Sequence, residues 1–179
     1  MNKKLSKIDK IMIISHPDDE IFWGYESLIN ETGWKIICLT NGNNDFRRKS
    51  FIKVMEALNA QYEIWNHTDS YRIPFSEKEK KEISKKLNEH INHPKIKKVV
   101  THSPNGEYGH ISHIQISKMV TNIILNKELL YFFCFKADKK PKLDLKKLKL
   151  ISIYFPHFNK AKYRLLYNQF FQDERKNNI

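Results

Sequence analysis

Cysteine is scarce: two occur in 179 residues, too few for a disulfide framework. Cys38 lies in the apolar segment 34–39 and Cys134 in 131–135, and both read as small buried hydrophobes within strands. A reducing interior is their natural setting. An apolar leader is also missing, because Met1-Asn2-Lys3-Lys4-Leu5 lacks the stretch expected of a signal peptide. The longest apolar run, 129–135, falls far short of the ~20 residues needed to cross a bilayer. The expectation is a cytoplasmic protein, soluble or at most peripheral at a membrane surface. Acidic residues are outnumbered, 20 against 32 basic ones, for a formal charge of +12. That balance favours anionic partners, among them phosphorylated sugars, lipid headgroups or nucleic acid. A solvated Lys-rich surface fits the same numbers. No nucleic-acid motif accompanies the Lys-rich stretches 78–86 and 139–149, which argues against a basic polyanion-binding module. No internal repeat is visible, and a single domain is expected.

What remains is a chain with 40% hydrophobic residues, enough for one domain with a genuine core. Apolar strand-like runs alternate with helical patterns, which predicts an α/β fold with a mostly parallel sheet. Strands are expected at 11–15, 35–40, 61–65, 97–101 and 129–136. The first helix is expected over 18–32, ending at Gly33, and a second is marked by Phe51, Val54, Met55 and Leu58. Ser76-x-x-Glu79 has the form of a capping box, followed by an apolar stripe of Ile83, Leu87 and Ile91. A helix is expected over 112–127, an exposed loop over about 136–149, a short strand at 150–154 and a last amphipathic helix at 160–174.

Two clusters carry the chemistry. His16-Pro17-Asp18-Asp19-Glu20 follows the apolar run 11–14, so an imidazole and two carboxylates converge where a strand ends. Acidic residues in a first helical turn also suit the helix dipole without any metal. The second cluster, 101–113, follows Val99-Val100 and closes on His110-x-x-His113, whose spacing puts both rings on one helix face. The two loops meet only if the first and fourth strands are neighbours. A doubly wound, Rossmann-like sheet of order 3-2-1-4-5, with helices on both faces, places them at its switch point.

With these residues the chain resembles the LmbE-like (PIG-L type) zinc-dependent N-acetylglucosaminyl deacetylases. The resemblance rests on His16 to Glu20 and on Tyr108-Gly109-His110-x-x-His113, with weaker echoes at Thr40-Asn41-Gly42, Arg47, Asp69 and 160–169. It implies one such domain over 1–179 and a Zn2+ ion held by His16, Asp19 and His113, leaving a position for water. It also implies Asp18 as general base, with His110 and Tyr108 stabilising the oxyanion. Arg47, Asp69 and Asn41 would contact an N-acetylated sugar in a glycoconjugate, with Arg48 a competitor for the first of these roles. His102 and His157 would line the pocket, and Glu20 would serve helix capping or outer support.

Two positions depart from the family pattern: Ser112 stands where an acidic residue is usual, and Ile111 where proline is. A serine raises the pKa of His110, or fixes its ring, less well than a carboxylate, so a reduced or acid-shifted rate is expected. A catalytically weak or silent sugar-binding relative is the alternative. Short loops leave the pocket few walls, so a homo-oligomer partner or a large substrate would complete it.

Overall fold

The computed structural model describes residues 7–70, 72–133 and 144–156. An all-parallel sheet is built from β1 (Lys10–Ile14), β2 (Trp34–Thr40), β3 (Gln61–His67), β4 (Lys98–Thr101) and β5 (Leu130–Phe132). Its order is β3-β2-β1-β4-β5, as the sequence pattern predicts. Around it lie α1 (Asp19–Phe22), α2 (Tyr25–Asn30), α3 (Asp45–Leu58), α4 (Glu77–Ile91), α5 (Gly106–Gly109), α6 (Ile111–Ile123) and α7 (Leu145–Tyr154).

The central strand β1 has no polar face because helices cover both sides of it. Its alternating side chains divide between two layers. Met12 and Ile14 pack with Tyr25, Phe51, Met55 and Ile151, from α2, α3 and α7. Ile11 and Ile13 pack with Ile83, Leu87, Ile116 and Val120, from α4 and α6. Each such side chain, once buried, contributes about 1.5–3 kcal/mol. β1 pairs with β2 from Lys10↔Trp34 to Ile14↔Cys38, and with β4 from Lys10↔Lys98 to Met12↔Val100. The loops that follow β1 and β4 therefore leave the same edge of the sheet side by side.

Three expectations are corrected. The first helix is two short ones, interrupted at Trp23 and Gly24. Gly24 lies against β1, where a Cβ would stand 2.5 Å from Met12 Cε, and a glycine there also weakens helix continuity. Residues 150–154 are not a strand but the end of α7. Asp144 caps that helix by accepting the N–H groups of Lys146 and Lys147 at 2.8 and 3.1 Å, and Leu150, Ile151 and Tyr154 form its buried face. Residues 145–149, expected in a loop, are its first turns. The expected helix over 160–174 and His157 lie outside the described residues. No helix among the described residues is long and apolar enough to cross a membrane.

Candidate metal centre

Where β1 ends, the chain turns sharply. Asp19 Oδ2 accepts the N–H of His16 at 2.8 Å, folding the carboxylate back over the turn. Asp18 is left with φ 123° and ψ −27°, outside the range that L side chains favour. Its conformation is held from three directions. Glu20 Oε2 accepts the Asp18 N–H at 3.0 Å. Arg47 Nη2 reaches across from α3 to Pro17 O at 2.6 Å and to Asp18 Oδ2 at 3.2 Å. The hydroxyl of Tyr154, on α7, donates to Glu20 Oε1 at 2.5 Å and so ties the far layer to the turn.

After β4 the loop is contorted in a different way. Gly106 and Gly109 have φ of +70° and +85°, and Glu107 between them has φ 58°. This path sends the Glu107 carboxylate back beneath two rings. Its Oε2 accepts Nδ1–H of His102 at 2.9 Å and of His113 at 2.6 Å, and its Oε1 accepts the Ser103 N–H at 2.7 Å. The two rings stack 3.7 Å apart. His102 Nε2 in turn accepts the Ser15 N–H at 3.0 Å. Burial works against a charged His102 ring while Asp19 and Glu107 favour one and prevail, but that donation requires a lone pair on Nε2. His102 is therefore neutral, and its Nε2 is committed to the backbone of β1's end.

Three donor atoms converge between the loops. His16 Nδ1 stands 3.2 Å from His113 Nε2 and 3.4 Å from Asp19 Oδ2, and the last two are 3.5 Å apart. Donors at zinc distances of about 2.0–2.1 Å stand roughly 3.3 Å apart at the corners of a tetrahedron. The chemistry and spacing of these donors thus fit a tetrahedrally bound ion. Asp19, His102 and His113 also lie close enough to share one, but the Ser15 bond withdraws His102 from that set.

Of these groups His16 and Asp19 line a cavity of about 420 Å³, while His113 lies buried behind them. Its lining combines the charged Asp18, Arg47 and Asp69 with His110 and the aromatic Phe22, Trp23, Tyr108 and Phe155. Burial, then the charge of Asp19, raises the Asp18 carboxyl to about 7 against the opposing pull of Arg47 and His16. Burial works to lower His16, yet Asp19 and Asp69 outweigh it and hold the ring at about 10. Burial, reinforced by the charges of His113 and His16, lowers His110 to about 4.

Of the residues singled out in the sequence, His16, Asp18, Asp19, His110 and His113 meet at one place, and Tyr108 stands over it with its ring 5.7 Å from that of His110. Asn41 and Asp69 lie on the rim, with Asn41 Nδ2 2.7 Å from Asp69 Oδ2. Asp69 Oδ1 accepts from His16 Nε2 at 2.9 Å. Arg48 instead pairs with Asp45, at 3.3 Å. Ser112 Oγ lies 2.9 Å from His110 Nδ1 and 2.7 Å from Ser15 Oγ, so a hydroxyl pair stands beside the His110 ring. Sequence reasoning does not single out Glu107 or Ser15. An acid between two glycines inside the second cluster is the one available signal for Glu107.

A family profile described as PIG-L, GlcNAc-PI de-N-acetylase, matches residues 11–124. The chain belongs to the PIG-L family. The matched segment of this PIG-L chain includes both loops of the site. An uncharacterized protein of Acanthamoeba polyphaga mimivirus is 38% identical over 148 residues, and the match covers 74% of this PIG-L chain. The chain spans 64% of that relative's length. The fold is shared with N,N'-diacetylchitobiose deacetylase from Pyrococcus horikoshii, at TM-score 0.66 and 15% identity over 90% of this chain and 75% of that one. A conserved protein from Thermus thermophilus superposes at TM-score 0.55 and 14% identity, covering 82% and 75% of the two chains.

Proposed function

We propose that this chain is a zinc-dependent deacetylase that hydrolyses the acetamide of an N-acetylglucosamine-type sugar within a glycoconjugate. The observation that carries this reading is the triangle of His16 Nδ1, Asp19 Oδ2 and His113 Nε2, with the Asp18 carboxylate beside it. Zinc held there would supply Lewis acidity, making water nucleophilic near pH 7 and drawing charge from the amide oxygen.

The protein's own groups divide the remaining work. Asp18, raised to about 7, suits a base that takes a proton from the attacking water at neutral pH. Arg47 holds that carboxylate in place, and its Nε is a buried polar atom without a hydrogen-bond partner among the described residues. Ser112 Oγ stands 2.9 Å from His110 Nδ1, and a hydroxyl donating there would leave Nε2–H to donate to the developing oxyanion. Tyr108 is the second donor, and each such bond is worth about 3 kcal/mol in the transition state. The aromatic wall suits the apolar face of a pyranose, while Asp69 and Asn41 stand at the rim for its hydroxyls.

The test is fluorescamine detection of free amine across phospholipid-linked, nucleotide-linked and polymeric N-acetylglucosaminyl compounds, with and without zinc. Zinc-dependent amine release is expected, falling by about 10²–10⁴ in Asp18→Ala with the metal retained. A chain that binds no zinc, or an Asp18→Ala variant of undiminished rate, would overturn the mechanism. Ser112 favours a second reading, a silent sugar-binding relative. It is distinguished by sugar binding without amine release from any compound in the panel.

A further inference from the structure

The two imidazoles of the donor triangle are presented in opposite senses. His16 turns Nδ1 inward and Nε2 outward, whereas His113 turns Nε2 inward and Nδ1 outward. Each outward nitrogen meets a carboxylate: Asp69 Oδ1 at 2.9 Å behind His16, and Glu107 Oε2 at 2.6 Å behind His113. A carboxylate only accepts, so each outward nitrogen carries the hydrogen, and a ring bearing one proton must then offer its lone pair inward.

We propose that Asp69 and Glu107 are positioning residues of the metal centre, each fixing the tautomer and plane of one metal-binding histidine. The proposal rests on the zinc reading above and departs from the role that family resemblance gives Asp69. Both oxygens of Asp69 are already engaged, Oδ1 by His16 and Oδ2 by Asn41 at 2.7 Å. Oδ1 thus serves the ligand behind the metal, and only the remaining lone pairs of the carboxylate are left for a sugar hydroxyl. Glu107 has the same duty from the other loop and is anchored by the Ser103 N–H and by His102. Because His102 also accepts the Ser15 N–H, Glu107 joins the end of β4 to the end of β1.

Carboxylates in this position typically contribute 10–100-fold to metal affinity. The experiment measures zinc dissociation constants by competition with a chromophoric chelator for the wild type, Asp69→Asn and Glu107→Gln. Glu63→Gln serves as a control, since Glu63 is a β3 carboxylate whose partners Lys35, at 2.5 Å, Trp65 and His90 stand apart from the donor triangle. Melting of the metal-free proteins and the visible spectra of the cobalt forms are recorded alongside. The expected result is a 10–100-fold weaker zinc affinity in both variants, an altered cobalt spectrum and an unchanged control. The metal-free melting of Asp69→Asn should fall only modestly, because the pairing it loses with His16 is half-exposed. Unchanged affinity with a raised KM in Asp69→Asn would overturn the proposal and return that residue to sugar binding. Unchanged affinity in Glu107→Gln would overturn its half. A wild type that takes up no zinc would instead remove the functional reading itself, and this assignment with it.

Discussion

Asp18 occupies backbone angles that cost an L residue about 1–3 kcal/mol, and the fold holds it there with Arg47, Glu20 and Tyr154. Strain of this kind survives where the surroundings over-determine it. Replacing Asp18 with glycine removes the steric penalty along with the carboxylate. We expect Asp18→Gly to melt higher than wild type, by about 1 kcal/mol in stability, while losing amide hydrolysis. An Asp18→Gly protein that melts lower would show that the Arg47 and Glu20 contacts, not steric strain, dominate at this position. At this scale the sequence is legible where chemistry and spacing coincide, as at His16, Asp19 and His113. It is not legible for Glu107, whose position depends on the positive φ angles of Gly106, Gly109 and Glu107 itself, which spacing does not reveal. Nor does it show that Arg47 grips Pro17 O, because that contact joins α3 to the turn after β1.

Helix starts carry their own electrostatics. At the start of α4, Ser76 Oγ accepts the Glu79 N–H at 3.2 Å while Glu79 accepts the Ser76 and Thr68 N–H groups at 2.9 Å each. Burial opposes ionisation of Glu79, but these bonds outweigh it and hold the carboxyl at about 2, against 4.5 unperturbed. A depressed carboxyl stabilises the fold above its unfolded value, and that contribution fades as pH falls from 4.5 toward 2. Glu79→Ala should therefore cost about 1 kcal/mol at pH 7 in denaturant unfolding. The gap from wild type should close on acidification, and a gap that persists at pH 2 would place the loss in packing. This cap is readable from Ser76-x-x-Glu79. The end of α7 is not, because Leu150, Ile151, Ile153 and Tyr154 form an apolar run too short to distinguish strand from helix. What decides for helix is Asp144 upstream, whose cap acts over the preceding turn.

For the molecule as a whole, the proposed zinc site would link ion binding to folding. In the metal-free protein His16 holds its proton up to about pH 10, close to where an ion would sit between its Nδ1, Asp19 and His113. Zinc bound there would have to displace that proton, so affinity should rise by about tenfold per pH unit across the neutral range. At a thousandfold excess over the dissociation constant, zinc would add about 4 kcal/mol of stability. In a domain of this size, that is on the order of 10 °C in melting temperature. The shift should shrink steadily as pH is lowered from 8 to 6, and a pH-independent shift would mean that no proton leaves. The sheet order that sets this arrangement is readable from the alternation of strands and helices, since two loops with complementary donors require β1 beside β4. His16 and His113 are separated by 97 positions in sequence. A nascent chain that has emerged only as far as α4 holds His16 and Asp19 without their third partner. Uptake of the proposed ion would therefore wait for β4 to dock against β1, and bound metal would mark strands assembled in the correct order.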